Sequence, residues 1–113
     1  MSAPQLTPAE VAAGLASGEV AAVDVREPEE WEAGHIDGAV HIPLNQLMAG
    51  AGQDLDPSRE VVAVCRSGNR SELAALMLQA RGYQAHNMEG GMEAWESAGL
   101  PFSAEDGTAG RVA

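Results

Sequence analysis

The residues best suited to chemistry form one short stretch, CRSGNR at positions 65–70, which contains the only cysteine of the chain. It follows an apolar run at 61–64 that is typical of a buried strand, and it precedes a segment with helical periodicity. Such a strand would deliver Cys65 to the carboxyl edge of a sheet, and the helix would direct its free N–H groups and positive dipole end toward the sulfur. This placement favours a thiolate over a thiol, so Cys65 is the candidate nucleophile.

The charge pattern predicts an anionic ligand for this stretch. The chain carries 17 Asp and Glu against six basic residues, all of them Arg, and two of those six lie in the stretch. A locally cationic loop on an acidic protein suggests an anionic partner, and glycine permits the backbone angles that a loop around an anion needs. The predicted substrate-binding residues are Arg66, Ser67, Gly68, Asn69 and Arg70. The alternative, in which Cys65 is only a small buried hydrophobe at the end of a core strand, leaves these five residues unexplained.

Length and composition restrict the other possibilities. The 113 residues suffice for one domain, and 45% hydrophobic residues is ordinary for a globular protein. The formal net charge of −11 argues against nucleic acid or an anionic membrane surface as partner. The amino end lacks a basic region followed by an apolar one, and a single thiol suits a reducing compartment, so a cytoplasmic protein is expected. One Cys and three scattered His show no ligand spacing, so neither a metal nor a cofactor is predicted.

The remaining elements follow from local signals. Thr7, Pro8 and Glu10 form a capping-box pattern that opens a helix, and Gly18 would end it. A second helix is expected after the cysteine stretch, from about Arg70 to Arg81, with an apolar face of Leu73, Leu76, Met77 and Ala80 toward the sheet. Further strands are predicted at 20–25, near 40 and at 83–88, with short helices at 27–33, 43–48 and 92–97.

Alternation of short strands with helices predicts an α/β fold, a small parallel β-sheet flanked by helices on both faces. Residues 1–103 are assigned to this single domain. Residues 104–113 are predicted to form a loosely ordered tail.

Several sequence pieces together resemble one known family. In chain order they are DVRE at 24–27, Trp31, GHI at 34–36, Gly38-Ala39, Ile42-Pro43, the cysteine stretch, and Gly90-Gly91 with Trp95. The ordered set resembles a single-domain rhodanese, which implies the rhodanese-like three-layer fold. It covers most of the chain and leaves only the tail outside.

The resemblance implies a thiosulfate sulfurtransferase. The Cys65 thiolate would take the outer sulfur of a small anionic donor such as thiosulfate and release sulfite. A cysteine persulfide would remain, and a thiophilic acceptor, cyanide or a thiol, would then remove its sulfur. A thioredoxin-like protein is one candidate acceptor, and a monomer is expected. No general base is required, although His35, His41 or His86 could approach the loop in space.

Three other functions use the same cysteine. Cys65 could hold a persulfide received from a partner enzyme and pass it to another protein, as a carrier or interaction module. It could be oxidised to a sulfenic acid in a redox sensor, but a resolving cysteine is missing. A phosphatase or arsenate reductase ranks behind, because phosphatases of related architecture have five residues between Cys and Arg, whereas four separate Cys65 from Arg70.

Two charged residues at the end of the strand at 20–25 are predicted to support the loop. Two roles are open to Arg70: it could bind substrate, or it could pair with Asp24 and hold the shape of the loop, and the second role is favoured. Arg26 is expected to pair with a carboxylate among Glu27, Glu29 and Glu30. His35 is expected to bond backbone in its turn, and Trp31 and Trp95 are core candidates, with Trp95 a candidate wall of the pocket.

Overall fold

The computed structural model describes residues 2–113 and shows one five-stranded parallel sheet with five helices. The elements alternate along the chain as β1 (Gln5–Leu6), α1 (Pro8–Ser17), β2 (Val20–Asp24), α2 (Pro28–Ala33), β3 (Val40–His41), α3 (Leu44–Met48), β4 (Glu60–Val64), α4 (Asn69–Ala80), β5 (Ala85–Met88) and α5 (Gly91–Ser97). The predicted α/β class with a small parallel sheet is confirmed. Within the described part, no helix has the length and apolar character needed to cross a membrane.

The sheet has the strand order β1-β5-β4-β2-β3, with every pair parallel. From β2 the chain moves to β3 on one side, and from β4 it moves to β5 on the other, so the order reverses between β2 and β4. Open parallel sheets place ligands at the carboxyl ends of the strands beside such a reversal. Cys65 directly follows β4 and therefore lies at this position.

Two apolar clusters cover the two faces of the sheet. Alternate residues of β2 and β4 point to opposite faces, since successive side chains of a strand alternate. Val23, Val61 and Ala63 pack in the cluster beneath α3 and α4. Val20, Val62 and Val64 pack in the cluster beneath α1 and α5. Helix, sheet and helix thus form three layers.

The first helix begins and ends where the sequence predicts. The Thr7 hydroxyl accepts the Glu10 N–H at 3.2 Å, and the Glu10 carboxylate accepts the Thr7 N–H at 2.9 Å. Gly18 ends α1 with a left-handed φ of 81°. The capping box and the glycine stop are both confirmed.

The face of α4 that packs on the sheet differs from the predicted one. Leu73 is 45% exposed, and Leu76 and Met77 are only partly buried at the flank of the core. The fully buried residues are Ser71, Ala74, Ala75 and Leu78. They have the same helical spacing displaced by two residues, which places them on nearly the opposite side of the helix from the predicted face. The small side chains of Ser71, Ala74 and Ala75 let the helix approach the sheet closely.

The segment predicted to be a loose tail is hydrogen-bonded to α2. Arg111 donates its backbone N–H to Ala33 at 3.0 Å, and Glu105 donates to Glu32 at 2.9 Å. Just before this segment, Ser103 forms an antiparallel bridge with His35. The 104–113 segment therefore folds back against the domain, through contacts that involve residues far apart in sequence.

Candidate active site

The cysteine stretch forms a loop between β4 and α4, and Cys65 is 1% exposed. Its Sγ accepts the Gly68 N–H at 3.1 Å. Gly68 is the N-cap residue of α4 and has a left-handed φ of 102°, which lets the loop turn back on the sulfur. The backbone N–H groups of Arg66, Ser67, Asn69 and Arg70 donate to no acceptor within residues 2–113. The loop that carries Cys65 thus has four backbone donors without a protein acceptor among the described residues.

A second turn braces this loop from outside. Met92 donates its N–H to the Cys65 carbonyl at 2.8 Å, and Glu93 donates to the Arg66 carbonyl at 3.0 Å. Gly91, which has a φ of 61°, makes the approach possible, since a Cβ there would lie 2.5 Å from the backbone of Cys65 and Arg66. The start of α5 therefore satisfies the carbonyls of Cys65 and Arg66, and Gly90-Gly91 lies beside the loop.

Two polar side chains near the sulfur were not identified from the sequence. Ser71, in the first turn of α4, has its Oγ 3.1 Å from Cys65 Sγ. Asn87, on β5, reaches both the Ser71 hydroxyl and the Gly68 carbonyl. Both side chains are buried. Two features of the sequence could have indicated them. Ser71 directly follows the loop, and Asn87 is a polar residue in a strand that is otherwise expected to be buried.

The expected pair between Arg70 and Asp24 is wrong. Arg70 instead donates both of its terminal nitrogens to the Glu30 carboxylate, at 2.7 and 2.9 Å. Glu30 lies on α2, which projects beyond the carboxyl end of β2 and so reaches the loop. Because its guanidinium edge is taken up by Glu30, Arg70 is fixed against α2.

The expected pairing of Arg26 with Glu27, Glu29 or Glu30 is also wrong. Arg26 is fully buried and turns back on Asp24, with Nε at 2.9 Å from Oδ1 and Nη2 at 2.8 Å from Oδ2. Its Nη2 also donates to the Gly34 carbonyl at 2.7 Å. The buried pair ties the end of β2 to the end of α2, the helix that carries Glu30. Support of the loop by Asp24 and Arg26 stays a prediction, and in this geometry it would act through α2.

The other predicted binding residues face solvent at the mouth of the loop. Arg66, Ser67 and Asn69 are exposed. Arg66 lies 3.3 Å from a carboxylate oxygen of Glu93, with both side chains 52% exposed. Their contact with substrate remains a prediction.

The aromatic and histidine residues take separate places. Trp95 is buried in the core, as predicted, and donates its Nε1–H to the Pro101 carbonyl. Trp31 is only half-buried and stacks on His35 and His41, with ring centroids 3.6 and 4.7 Å apart. His35 Nδ1 donates to the Trp31 carbonyl at 2.7 Å, so its expected backbone bond is confirmed.

Two candidate partners of the loop, a histidine base and a metal ion, find no support in the described residues. No hydrogen bond joins a histidine ring of residues 2–113 to Cys65 Sγ. Nor do the described residues bring together three or more His, Cys, Asp or Glu that could hold a metal ion.

The Glu30 to Arg70 pair predicts a measurable pH dependence of stability. The Arg70 guanidinium, by hydrogen bonding, lowers the pKa of Glu30 from 4.5 to about 2. Because the carboxyl is more acidic when folded, its contribution is complete above about pH 4.5 and is lost as pH falls toward 2. We expect Glu30→Gln to cost about 1 kcal/mol at pH 7, after allowance for partial solvent screening, and almost nothing near pH 2.

Urea unfolding of wild type and Glu30→Gln at several pH values checks this. Other carboxylates also titrate in this range, so the difference between the two proteins is the relevant quantity. A difference that does not shrink between pH 5 and about 2 would contradict the pairing.

Comparison with known proteins agrees with this geometry. A family model described as "Rhodanese-like domain" matches residues 7–98. The Bacillus subtilis (strain 168) protein named "Putative sulfurtransferase YtwF" is 41% identical over 86 residues, 76% of this chain and 82% of that protein. Another from the same strain, "Putative sulfur carrier protein YrkF", is 42% identical over 74 residues, 65% of this chain, but these residues span only 40% of that protein.

The fold agrees as well. The crystal structure of a rhodanese-related protein from Thermoplasma volcanium superposes with a TM-score of 0.83 at 27% identity, covering 90% of this chain and 99% of that one. The family model and the relatives named as sulfurtransferase or sulfur carrier support sulfur transfer as the general chemistry. The chain therefore belongs to the rhodanese-like sulfurtransferase family.

Proposed function

We propose that this protein moves a sulfane sulfur from thiosulfate, or a related persulfide donor, to cyanide or a thiol through a persulfide on Cys65. The observation that carries the proposal is the environment of Cys65 Sγ. The sulfur accepts the Gly68 N–H at 3.1 Å, lies 3.1 Å from the Ser71 hydroxyl, and stands at the start of a 12-residue helix. Donors and the helix dipole at this point stabilise a thiolate without any base.

The two half-reactions need no proton transfer. The Cys65 thiolate attacks the outer sulfur of thiosulfate, a new S–S bond forms, and sulfite leaves with the electron pair of the old one. The acceptor then attacks the outer sulfur of the persulfide, and the electron pair of the Sγ–S bond returns to Cys65. Unused loop N–H groups are suited to the negative charge on donor, sulfite and persulfide.

The arginines favour sulfur transfer over phosphoryl transfer. A phosphatase needs an arginine free to hold the phosphoryl oxygens. In this loop the Arg70 guanidinium donates to both oxygens of Glu30, and only four residues separate it from Cys65. The loop is therefore suited to a single sulfur atom, because Arg70 is not free to hold the oxygens of a phosphoryl group.

Mass spectrometry tests the proposal directly. The protein is incubated with thiosulfate, separated by gel filtration, weighed intact, and then treated with cyanide. We expect a gain of one sulfur atom, about 32 Da, and release of an equivalent of thiocyanate. Absence of any gain with thiosulfate and with glutathione persulfide would overturn the proposed function.

Removal of the Glu93 charge is expected to improve the use of an anionic donor. It faces Arg66, the exposed arginine of the loop, and so offsets its charge. We expect Glu93→Gln to raise kcat/KM for thiosulfate by about two- to fivefold at low ionic strength, with the gain fading as salt is added. Steady-state thiocyanate formation across a salt series measures it.

A matched control separates this local effect from total charge. Glu19 precedes β2 at the opposite edge of the sheet, so Glu19→Gln changes net charge equally and is expected to leave kcat/KM unchanged. Equal gains from both variants would contradict a role for the Arg66 to Glu93 pair.

A second candidate function is a persulfide carrier that a partner enzyme loads. Both loop arginines have carboxylate partners, which weakens attraction for a small dianion such as thiosulfate. The name of the relative YrkF also supports a carrier. In this alternative, we propose that the protein is a cytoplasmic monomer that passes its sulfur to a thioredoxin-like protein. Faster discharge of a preloaded persulfide to a thioredoxin dithiol than to cyanide would favour it.

A further inference from the structure

One hydroxyl proton at the active site has two competing acceptors. Ser71 Oγ lies 3.1 Å from Cys65 Sγ and 2.5 Å from Asn87 Oδ1. All three residues are buried, at 0, 1 and 4% exposure for Ser71, Cys65 and Asn87. A serine hydroxyl has a single proton, so it can donate fully to only one of these atoms.

The orientation of the Asn87 amide is fixed by groups that can only accept. Gln5 Nε2 donates to the Ala3 carbonyl and to the Glu72 carboxylate, which leaves Gln5 Oε1 facing Asn87. Asn87 Nδ2 must therefore donate, and it does so to Gln5 Oε1 at 3.1 Å and to the Gly68 carbonyl at 3.0 Å. Its Oδ1 is left facing Ser71, where it can only accept.

The charge on Cys65 then decides where the Ser71 proton goes. When Sγ is uncharged, as in the persulfide, Asn87 Oδ1 is the better acceptor and holds the proton. When Sγ is a thiolate, a charge-assisted hydrogen bond from Ser71 is the stronger one. Because Oγ lies within reach of both atoms, rotation about the Cβ–Oγ bond alone turns the proton from one to the other without breaking a covalent bond.

We propose that the Ser71 hydroxyl acts as a rotor that stabilises the Cys65 thiolate as it leaves the persulfide. Asn87 is the positioning residue, because its Oδ1 accepts the Ser71 proton while Sγ is uncharged. This inference rests on the proposed persulfide chemistry. In the discharge step cyanide forms a bond to the outer sulfur, the Sγ–S bond breaks, and its electron pair stays on Sγ. The Ser71 proton turns from Asn87 to Sγ as that charge develops.

The main experiment compares discharge and loading in single turnovers. Persulfide is preloaded on wild type, Ser71→Ala and Ser71→Thr, and thiocyanate release is followed after mixing with cyanide. We expect Ser71→Ala to slow discharge by about tenfold or more, since a hydrogen bond to a charged group is lost. Loading by thiosulfate should slow less, and Ser71→Thr, which keeps a hydroxyl, should discharge at a rate close to that of wild type.

The thiolate content of the unloaded protein gives a second readout. Ultraviolet absorbance at neutral pH reports the fraction of Cys65 present as thiolate. We expect Ser71→Ala to lower this fraction and Asn87→Leu to raise it, because Asn87→Leu removes the competing acceptor. A merely structural role would move both variants in the same direction, and that result would overturn the inference.

The two readouts also separate this inference from the proposed function. If wild type takes up no sulfur, the proposed function fails, and the opposite shifts in thiolate content still test the competition for the proton. If wild type loads sulfur but Ser71→Ala discharges as fast as wild type, the proposed function stands and the rotor is wrong.

Discussion

Cys65→Ser is expected to lose all sulfur uptake, with no gain in mass after thiosulfate and no thiocyanate after cyanide. Serine fits the space of Cys65, which is 1% exposed, and its hydroxyl can use the same Gly68 N–H and Ser71 contacts. Its oxygen, however, remains protonated at neutral pH and cannot carry sulfane sulfur. We expect thiocyanate formation to fall by at least about 10³-fold, to the uncatalysed level.

Thermal unfolding provides the control for this variant. Because the exchange conserves volume, Cys65→Ser should melt within a few degrees of wild type. A folded Cys65→Ser protein that still gains one sulfur would show that another group carries it, and the assignment of the nucleophile would be wrong.

Asp24→Asn is expected to produce the largest loss of stability among these variants. Arg26 is fully buried, and Asp24 is its only carboxylate partner within the described residues. The exchange leaves a buried guanidinium without a counter-charge, which typically costs about 3–5 kcal/mol. A domain of this size has about 5–15 kcal/mol in total, so we expect Tm to fall by more than about 10 °C.

Two comparisons make this prediction specific to the buried charge. Glu30→Gln is the same chemical exchange in a partly exposed pair and should lower Tm by only a few degrees. Asp24→Leu combined with Arg26→Met removes both charges and should recover most of the loss. Calorimetry of the three proteins decides the point, and an unchanged Tm for Asp24→Asn would show that Arg26 does not need its partner.

Local signals predicted the elements well because they act between neighbours in the chain. Thr7 and Glu10 cap α1 through contacts within one turn, and the apolar runs of β2 and β4 are too short for independent helices and rich in Val, which favours buried strands. Periodicity alone did not give the correct face of α4. Its large residues suggested one face, whereas the sheet selected the face of small residues that brings Ser71 to Cys65.

The arginine partners show a different limit. Arg26 was expected to stay near surface carboxylates, and Arg70 was expected to reach Asp24, yet each pairs with the acid predicted for the other. Both assignments depend on the direction of side chains at the end of β2. The turn after β2 buries Arg26 against Asp24 and leaves Glu30, on α2, facing the loop. Sequence spacing contains no information on that direction.

Residue patterns alone suffice to predict the α/β class, the family resemblance and Cys65 as the candidate nucleophile, because a strand, a glycine-containing loop and a helix follow one another directly in the chain. The groups around the sulfur depend instead on how separate elements pack. Ser71 and Asn87 lie 16 residues apart and meet because β4 and β5 are neighbours in the sheet. The shared proton and the exchanged ion pairs follow from packing of separate elements, which local patterns cannot specify.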